Sequence, residues 1–182
     1  MIFETCELEG IIICRPKVFK DNRGYIKEVS RRNVYAANGI DRDFVQVNMS
    51  FSKHGVLRGL HYQLKYPQAK LISVAYGKIY DVVVDCRRSS KTFGRSLGIE
   101  LTADGGEELF VPEGFAHGFY VRSECASVVY QCNDYYQPGD EFGLNWASPE
   151  LAINWGTTDP IMSEKDLALP RFADIKESEL PE

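Results

Sequence analysis

The stretch GVLRGLHYQ (55–63) holds one of only three histidines in a chain of 182 residues. Val56, Leu57 and Leu60 give it the look of a strand, yet Arg58, His61 and Gln63 are polar. At the two-residue period of a strand, His61 and Gln63 share a face. Polar side chains that converge inside a barrel are costly unless a ligand or a network satisfies them. His61 is therefore a metal ligand, a general base, or a core side chain satisfied by a neighbour.

Strand patterns continue on both sides. EGIIICRPKVF (9–19) is an apolar run stopped at Pro16, and GYIKEVS (24–30) is a short alternating segment. FVQVNMSFS (44–52) alternates strictly, with Val45, Val47 and Met49 on one side and Gln46, Asn48 and Ser50 on the other. KLISVAYGKIYDVVVDC (70–86) reads as two strands hinged at Gly77. FGRSLGIELT (93–102), ELFVPEGFAHGFYV (108–121), SVVYQCNDYY (127–136) and FGLNWASPELAINW (142–155) complete the series. Many short strands parted by Gly, Pro, Asn and Asp turns predict an all-β sandwich or barrel. Two short helices are expected, in RRNVYAANGI (31–40) and in SEKDLALP (163–170), the second with Ser163 as its N-cap.

The chain length fits a single domain, 1–182. A net charge of −5 without a basic block argues against a nucleic-acid partner, although a few arginines can still hold a diphosphate. Five cysteines, an odd number with no CxxC pair, argue against a disulfide framework or a zinc site. MIFETCELEG lacks the basic flank and apolar run of a signal peptide, and no segment is apolar enough for a membrane span. A cytoplasmic protein with no membrane partner is expected.

Gly55 and His61 fit the first motif of a cupin barrel, G-x5-H-x-H-x3–4-E-x6-G. Pro112-Glu113-Gly114-Phe115-Ala116-His117 fits the second, P-x-G-x2-H. The resemblance implies a cupin-type jelly roll, but the metal set is broken. Gln63 replaces the second histidine, and no glutamate follows at the required spacing. His61 and His117 alone make a poor metal site, so no metal is expected. A lone imidazole with an ordinary pKa near 6.5 suits a general base.

Six segments, in order, resemble the dTDP-4-dehydrorhamnose 3,5-epimerase family: FKDNRGYIKE (19–28), FVQVNMSFSKHGVLRGLHYQ (44–63), KLISVAYGKIYDVVVDCRRSSKTFG (70–94), LFVPEGFAHGFYV (109–121), VVYQCNDYYQPGDEFG (128–143) and SEKDLALP (163–170). The resemblance implies a jelly-roll homodimer without cofactor. It implies inversion of C3 and C5 of dTDP-4-keto-6-deoxy-D-glucose through an enolate. By the same resemblance His61 is the base, Asp166 its orienting carboxylate, Tyr130 the acid, and Lys70 the group that steadies the enolate oxygen. Taken without the family, Asp166 reads better as part of a capping box with Ser163. Arg23 and Arg58 would hold the diphosphate. Glu28, Gln46, Asn48, His117 and Glu141 would line the sugar and nucleotide sites. Tyr135 would stack on the base, with Tyr136 as the alternative. The N-terminal strand, including the IIIC run, would be exchanged with a partner subunit, so that Arg23 and Glu28 serve its site. Phe142 departs from the family, which often has a basic residue there. Alternatives are a single-carbon epimerase of a related nucleotide 4-keto sugar, a non-catalytic cupin binding module, and a metal-dependent cupin enzyme.

Overall fold

The computed structural model describes residues 1–182. Its strands are β1 (Ile2–Thr5), β2 (Ile12–Arg15), β3 (Val18–Asp21), β4 (Gly24–Lys27), β5 (Gln46–Lys53), β6 (Leu57–Gln63), β7 (Lys70–Tyr76), β8 (Lys78–Asp85), β9 (Ser96–Thr102), β10 (Glu108–Val111), β11 (Phe115–Val121), β12 (Cys125–Cys132) and β13 (Glu141–Gly143). One sheet runs β1-β2-β10-β7-β12-β5 and faces a second, β13-β6-β11-β8-β9. The β3–β4 hairpin stands apart from both. Apart from the consecutive pairs β1–β2 and β8–β9, neighbouring strands of the two sheets are far apart in sequence, which is the jelly-roll arrangement expected. Helices are limited to α1 (Arg32–Ala37), α2 (Glu164–Leu167) and short 3-10 turns. No helix is long and apolar enough to cross a membrane.

Three strands explain how the sequence builds this sandwich. In β8, Ile79 and Val83 enter the core between the sheets. Val82 and Val84 point the other way and are buried under Leu144, Leu151, Trp155 and Leu180 of the C-terminal segment. Burial on both faces is why Val82, Val83 and Val84 follow one another without polar alternation. Each such side chain contributes about 1.5–3 kcal/mol on burial.

β5 alternates, but in the reverse sense. Gln46, Asn48 and Ser50 face a cavity between the sheets, while Val45, Val47, Met49 and Phe51 are 47–71% exposed on the outside. A strand at the sheet edge that is polar within and apolar without marks a ligand site on one face and an unpartnered surface on the other.

β6 contains a bulge. His117 pairs with His61 and Phe119 with Arg58, so Gly59 and Leu60 together face Gly118. Gly59 has φ +109°, and a Cβ there would lie 2.6 Å from the His117 carbonyl oxygen and from the Gly118 Cα. Only glycine fits this close approach. The extra residue has a consequence for the site. Arg58 and His61 are three apart, which puts them on opposite faces of a regular strand, yet both line the cavity.

One expectation is corrected here. Residues 142–155 hold only the end of β13 and one 3-10 turn, Pro149–Leu151. Their apolar side chains cover the outer face of the second sheet instead of extending it. Within the chain the IIIC run pairs as β2 against β10, where Ile12, Cys14 and Phe110 pack with Tyr35 and Ile40 of and beside α1.

Candidate active site

A cavity of about 680 Å³ opens between the two sheets. His61 stands on β6, in one wall, and its Nε2 lies 2.8 Å from Asp166 Oδ1. A carboxylate can only accept, so Nε2 carries the hydrogen and Nδ1 keeps the lone pair. Asp166 is buried in the first turn of α2. Ser163 does cap this helix, its Oγ accepting from Asp166 N–H at 3.1 Å. The Asp166 carboxylate does not complete a capping box, however. It reaches His61 and accepts from the Gly59 N–H at 3.4 Å.

Burial alone would raise the pKa of Asp166. The hydrogen bond and charge of His61, with the Gly59 N–H, outweigh it and hold the carboxyl below its ordinary range. A carboxyl lowered on folding stabilises the protein at pH values above its unfolded pKa. That contribution is lost as pH falls through the lowered folded value. Asp166→Asn should therefore flatten part of the acid limb of stability against pH, measured by urea melts from pH 7 down to pH 3.

Tyr130 faces the cavity from β12 and Lys70 from β7, both on the sheet opposite His61. Burial raises the Tyr130 phenol, helped by Cys132 and Glu141 and opposed by Arg58, so it stays protonated at neutral pH. Burial lowers Lys70, against the pull of Cys132, Glu141 and Asp81. Glu141, from β13, lies 3.7 Å from His61 Nδ1 through Oε1, and its Oε2 pairs with Lys165. Phe142 points away and stacks on Tyr62, so this departure from the family pattern does not enter the cavity.

The polar wall of β5 is bound into the rim. Gln46 donates to Asn48 Oδ1 at 3.2 Å and accepts from the Tyr136 N–H at 2.9 Å. Arg58 donates through Nε to Ser52 Oγ at 3.0 Å. His117, on β11, donates through Nε2 to Asp81.

Three expected residues lie outside the cavity. Tyr136, not Tyr135, lines it; Tyr135 is 58% exposed. Arg23 pairs with Asp21 at 2.6 Å and Glu28 with Arg31 at 2.5 Å, on or beside the exposed β3–β4 hairpin. Gln63 does not join His61 either. It donates to the Tyr66 carbonyl at 2.6 Å and accepts from the Gln137 N–H at 2.9 Å, tying two loops together.

Other side chains of the site went unnoticed in the sequence. Asp81 carries the clearest signal, a charge inside the apolar run YDVVV. Ser50 Oγ lines the cavity and is the one buried side-chain polar atom without a partner. No three His, Cys, Asp or Glu side chains are grouped as a metal ion requires.

The site can therefore remove a proton from one side of a bound molecule and supply one from the other. The family model described as dTDP-4-dehydrorhamnose 3,5-epimerase matches residues 5–174. The chain belongs to this family. A dTDP-4-dehydrorhamnose 3,5-epimerase of Neisseria gonorrhoeae is 45% identical over 174 residues, covering 95% of this chain and 53% of that longer one. The dTDP-6-deoxy-D-glucose-3,5-epimerase of Legionella pneumophila, solved in complex with dTDP-4-keto-L-rhamnose, superposes with a TM-score of 0.94. It is 40% identical, covering 99% of this chain and 97% of its own. A 3'-monoepimerase of Streptomyces bikiniensis, solved with dTDP-quinovose, is 32% identical with a TM-score of 0.89. It covers 97% of this chain and 91% of its own. The epimerase scaffold thus accompanies both double and single epimerisation among the relatives.

Proposed function

We propose that the protein inverts C3 and C5 of dTDP-4-keto-6-deoxy-D-glucose, giving dTDP-4-keto-L-rhamnose. The observation that carries this is the His61–Asp166 pair on one wall of the cavity with Tyr130 on the other. Both carbons flank the C4 ketone, so loss of either hydrogen gives an enolate. In a gluco-configured chair the hydrogens on C3 and C5 are both axial and on the same face. One imidazole can therefore remove each in turn, and one acid on the opposite face can return a proton with inversion. His61 Nδ1 is the base, Asp166 orients it, Tyr130 is the acid, and the Lys70 ammonium faces the oxyanion. Arg58 meets the diphosphate, a task suited to its planar donors. Gln46, Asn48, His117 and Glu141 contact the sugar and nucleotide, and Tyr136 offers its ring to the base. Incubation with this sugar in D₂O tests the reading, with label expected at both C3 and C5 by NMR. Label at one carbon would make it a single-carbon epimerase, and no label would leave a binding module.

The same reading makes the protein a cytoplasmic homodimer, the first supported by five unpaired cysteines. The exposed stripe Val45, Val47, Met49 and Phe51 supplies a surface for a second copy. The β3–β4 hairpin then carries Arg23 and Glu28 to the partner's cavity. The domain is the whole chain, 1–182, with the N-terminal strand as the segment exchanged with the partner subunit. Met49→Asp should shift the dimer to monomer in sedimentation velocity while leaving the monomer folded. A wild-type chain that sediments as a monomer would end this part of the reading.

A further inference from the structure

Asp81 sits midway along β8 and is fully buried, at 0% exposure. Both its carboxylate oxygens face one donor, His117 Nε2, at 2.9 and 3.1 Å. Lys70 also senses its charge. A carboxylate this deep is costly, and its neighbours on the strand, Val82 to Val84, show what the core itself would favour. The fold keeps the charge at the one place where it meets a cavity-lining imidazole.

His61 and His117 are direct pair partners across β6 and β11. Each has its Nε2 tied to an aspartate, one from α2 and one from β8. Each ring therefore has only Nδ1 left for a bound molecule. His117 is held by the same kind of contact as His61, yet it lies deeper, at 8% exposure. A carboxylate on one ring nitrogen fixes both the tautomer and the ring plane.

We propose that Asp81 is a positioning residue for the epimerisation, locking His117 with its hydrogen on Nε2 so that Nδ1 meets the sugar. This rests on the epimerase reading above. Asp81 does not touch substrate; it acts through His117.

The chain has three histidines, so ¹⁵N-histidine labelling gives a spectrum that single variants can assign. In the wild type, His117 should show a protonated Nε2. Asp81→Asn should change the His117 ring-nitrogen shifts and lower kcat by about 10–100-fold. Its KM, dTDP binding and melting temperature should stay near wild type. Asp81→Asn combined with His117→Asn should be no slower than His117→Asn alone, since the first residue works only through the second. The proposal is overturned by a wild-type His117 lacking the Nε2 hydrogen. It is also overturned by unchanged shifts or kcat in Asp81→Asn, by losses that multiply in the double variant, or by a kcat loss matched by lost dTDP binding. Wild-type protein without exchange in D₂O would sink the epimerase reading and this proposal together. Wild-type exchange with unchanged shifts and kcat in Asp81→Asn would sink this proposal alone.

Discussion

Replacing His61 by Asn is expected to abolish deuterium uptake at C3 and at C5 together, by roughly 10²–10⁴-fold each, while dTDP still binds. The joint loss follows from geometry. The two substrate hydrogens lie on one face of the ring, and the base assigned to that face is the His61 imidazole, whose Nε2 is already committed to Asp166. Only Nδ1 can take a proton, and both carbons must come to it. Asparagine can keep a hydrogen bond to Asp166 but has no basic nitrogen. Arg58, Gln46 and Tyr136 are untouched, so the nucleotide half of the site remains. NMR exchange at the two carbons, with calorimetry for dTDP, checks both parts. Loss at one carbon only would call for a second base. Glu141, 3.7 Å from Nδ1, would then be the group to examine.

What the sequence made legible, and what it did not, divides by the range of the interaction. Alternation in β5 and the Gly77 hinge between β7 and β8 are local, and both appear in the structure as read. The segment 142–155 shows the limit. Its apolar residues satisfy a strand pattern, but they are apolar because they cover the outer face of another sheet. A pattern reports burial, not the element that achieves it. The bulge at Gly59 was equally hidden. Strand period sets Arg58 and His61 on opposite faces, whereas the extra residue brings both to the cavity. Gln63 follows His61 in regular register, and loop carbonyl and N–H groups take its amide. Asp166 is the opposite case. Local chemistry favours a helix cap, and the cap is formed, but by Ser163 alone. The carboxylate's partner lies 105 residues away in sequence, so only the family resemblance pointed to it. Tyr135 and Tyr136 are adjacent, and their orientations depend on how the loop backbone bonds to Gln46 and Gln63.

Tyr130→Phe should separate the two halves of the reaction. Tyr130 reaches the cavity from β12, on the sheet facing His61, and burial keeps its phenol protonated. Its ring packs against the main core, which phenylalanine preserves. Without the hydroxyl the base can still remove a proton, and the Lys70 ammonium can still face the enolate oxygen. The enolate then has no donor on the far face. It recovers its proton from the His61 imidazolium, on the face it came from. In D₂O that imidazolium has exchanged with solvent, so deuterium enters C3 and C5 with retained configuration. Net inversion should fall by roughly 10²–10⁴-fold while label still washes into unreacted substrate. Equal loss of exchange and inversion would move Tyr130 to the abstraction step or to binding. Undiminished inversion would remove it from the proton path, and Lys70 would become the candidate donor on that wall.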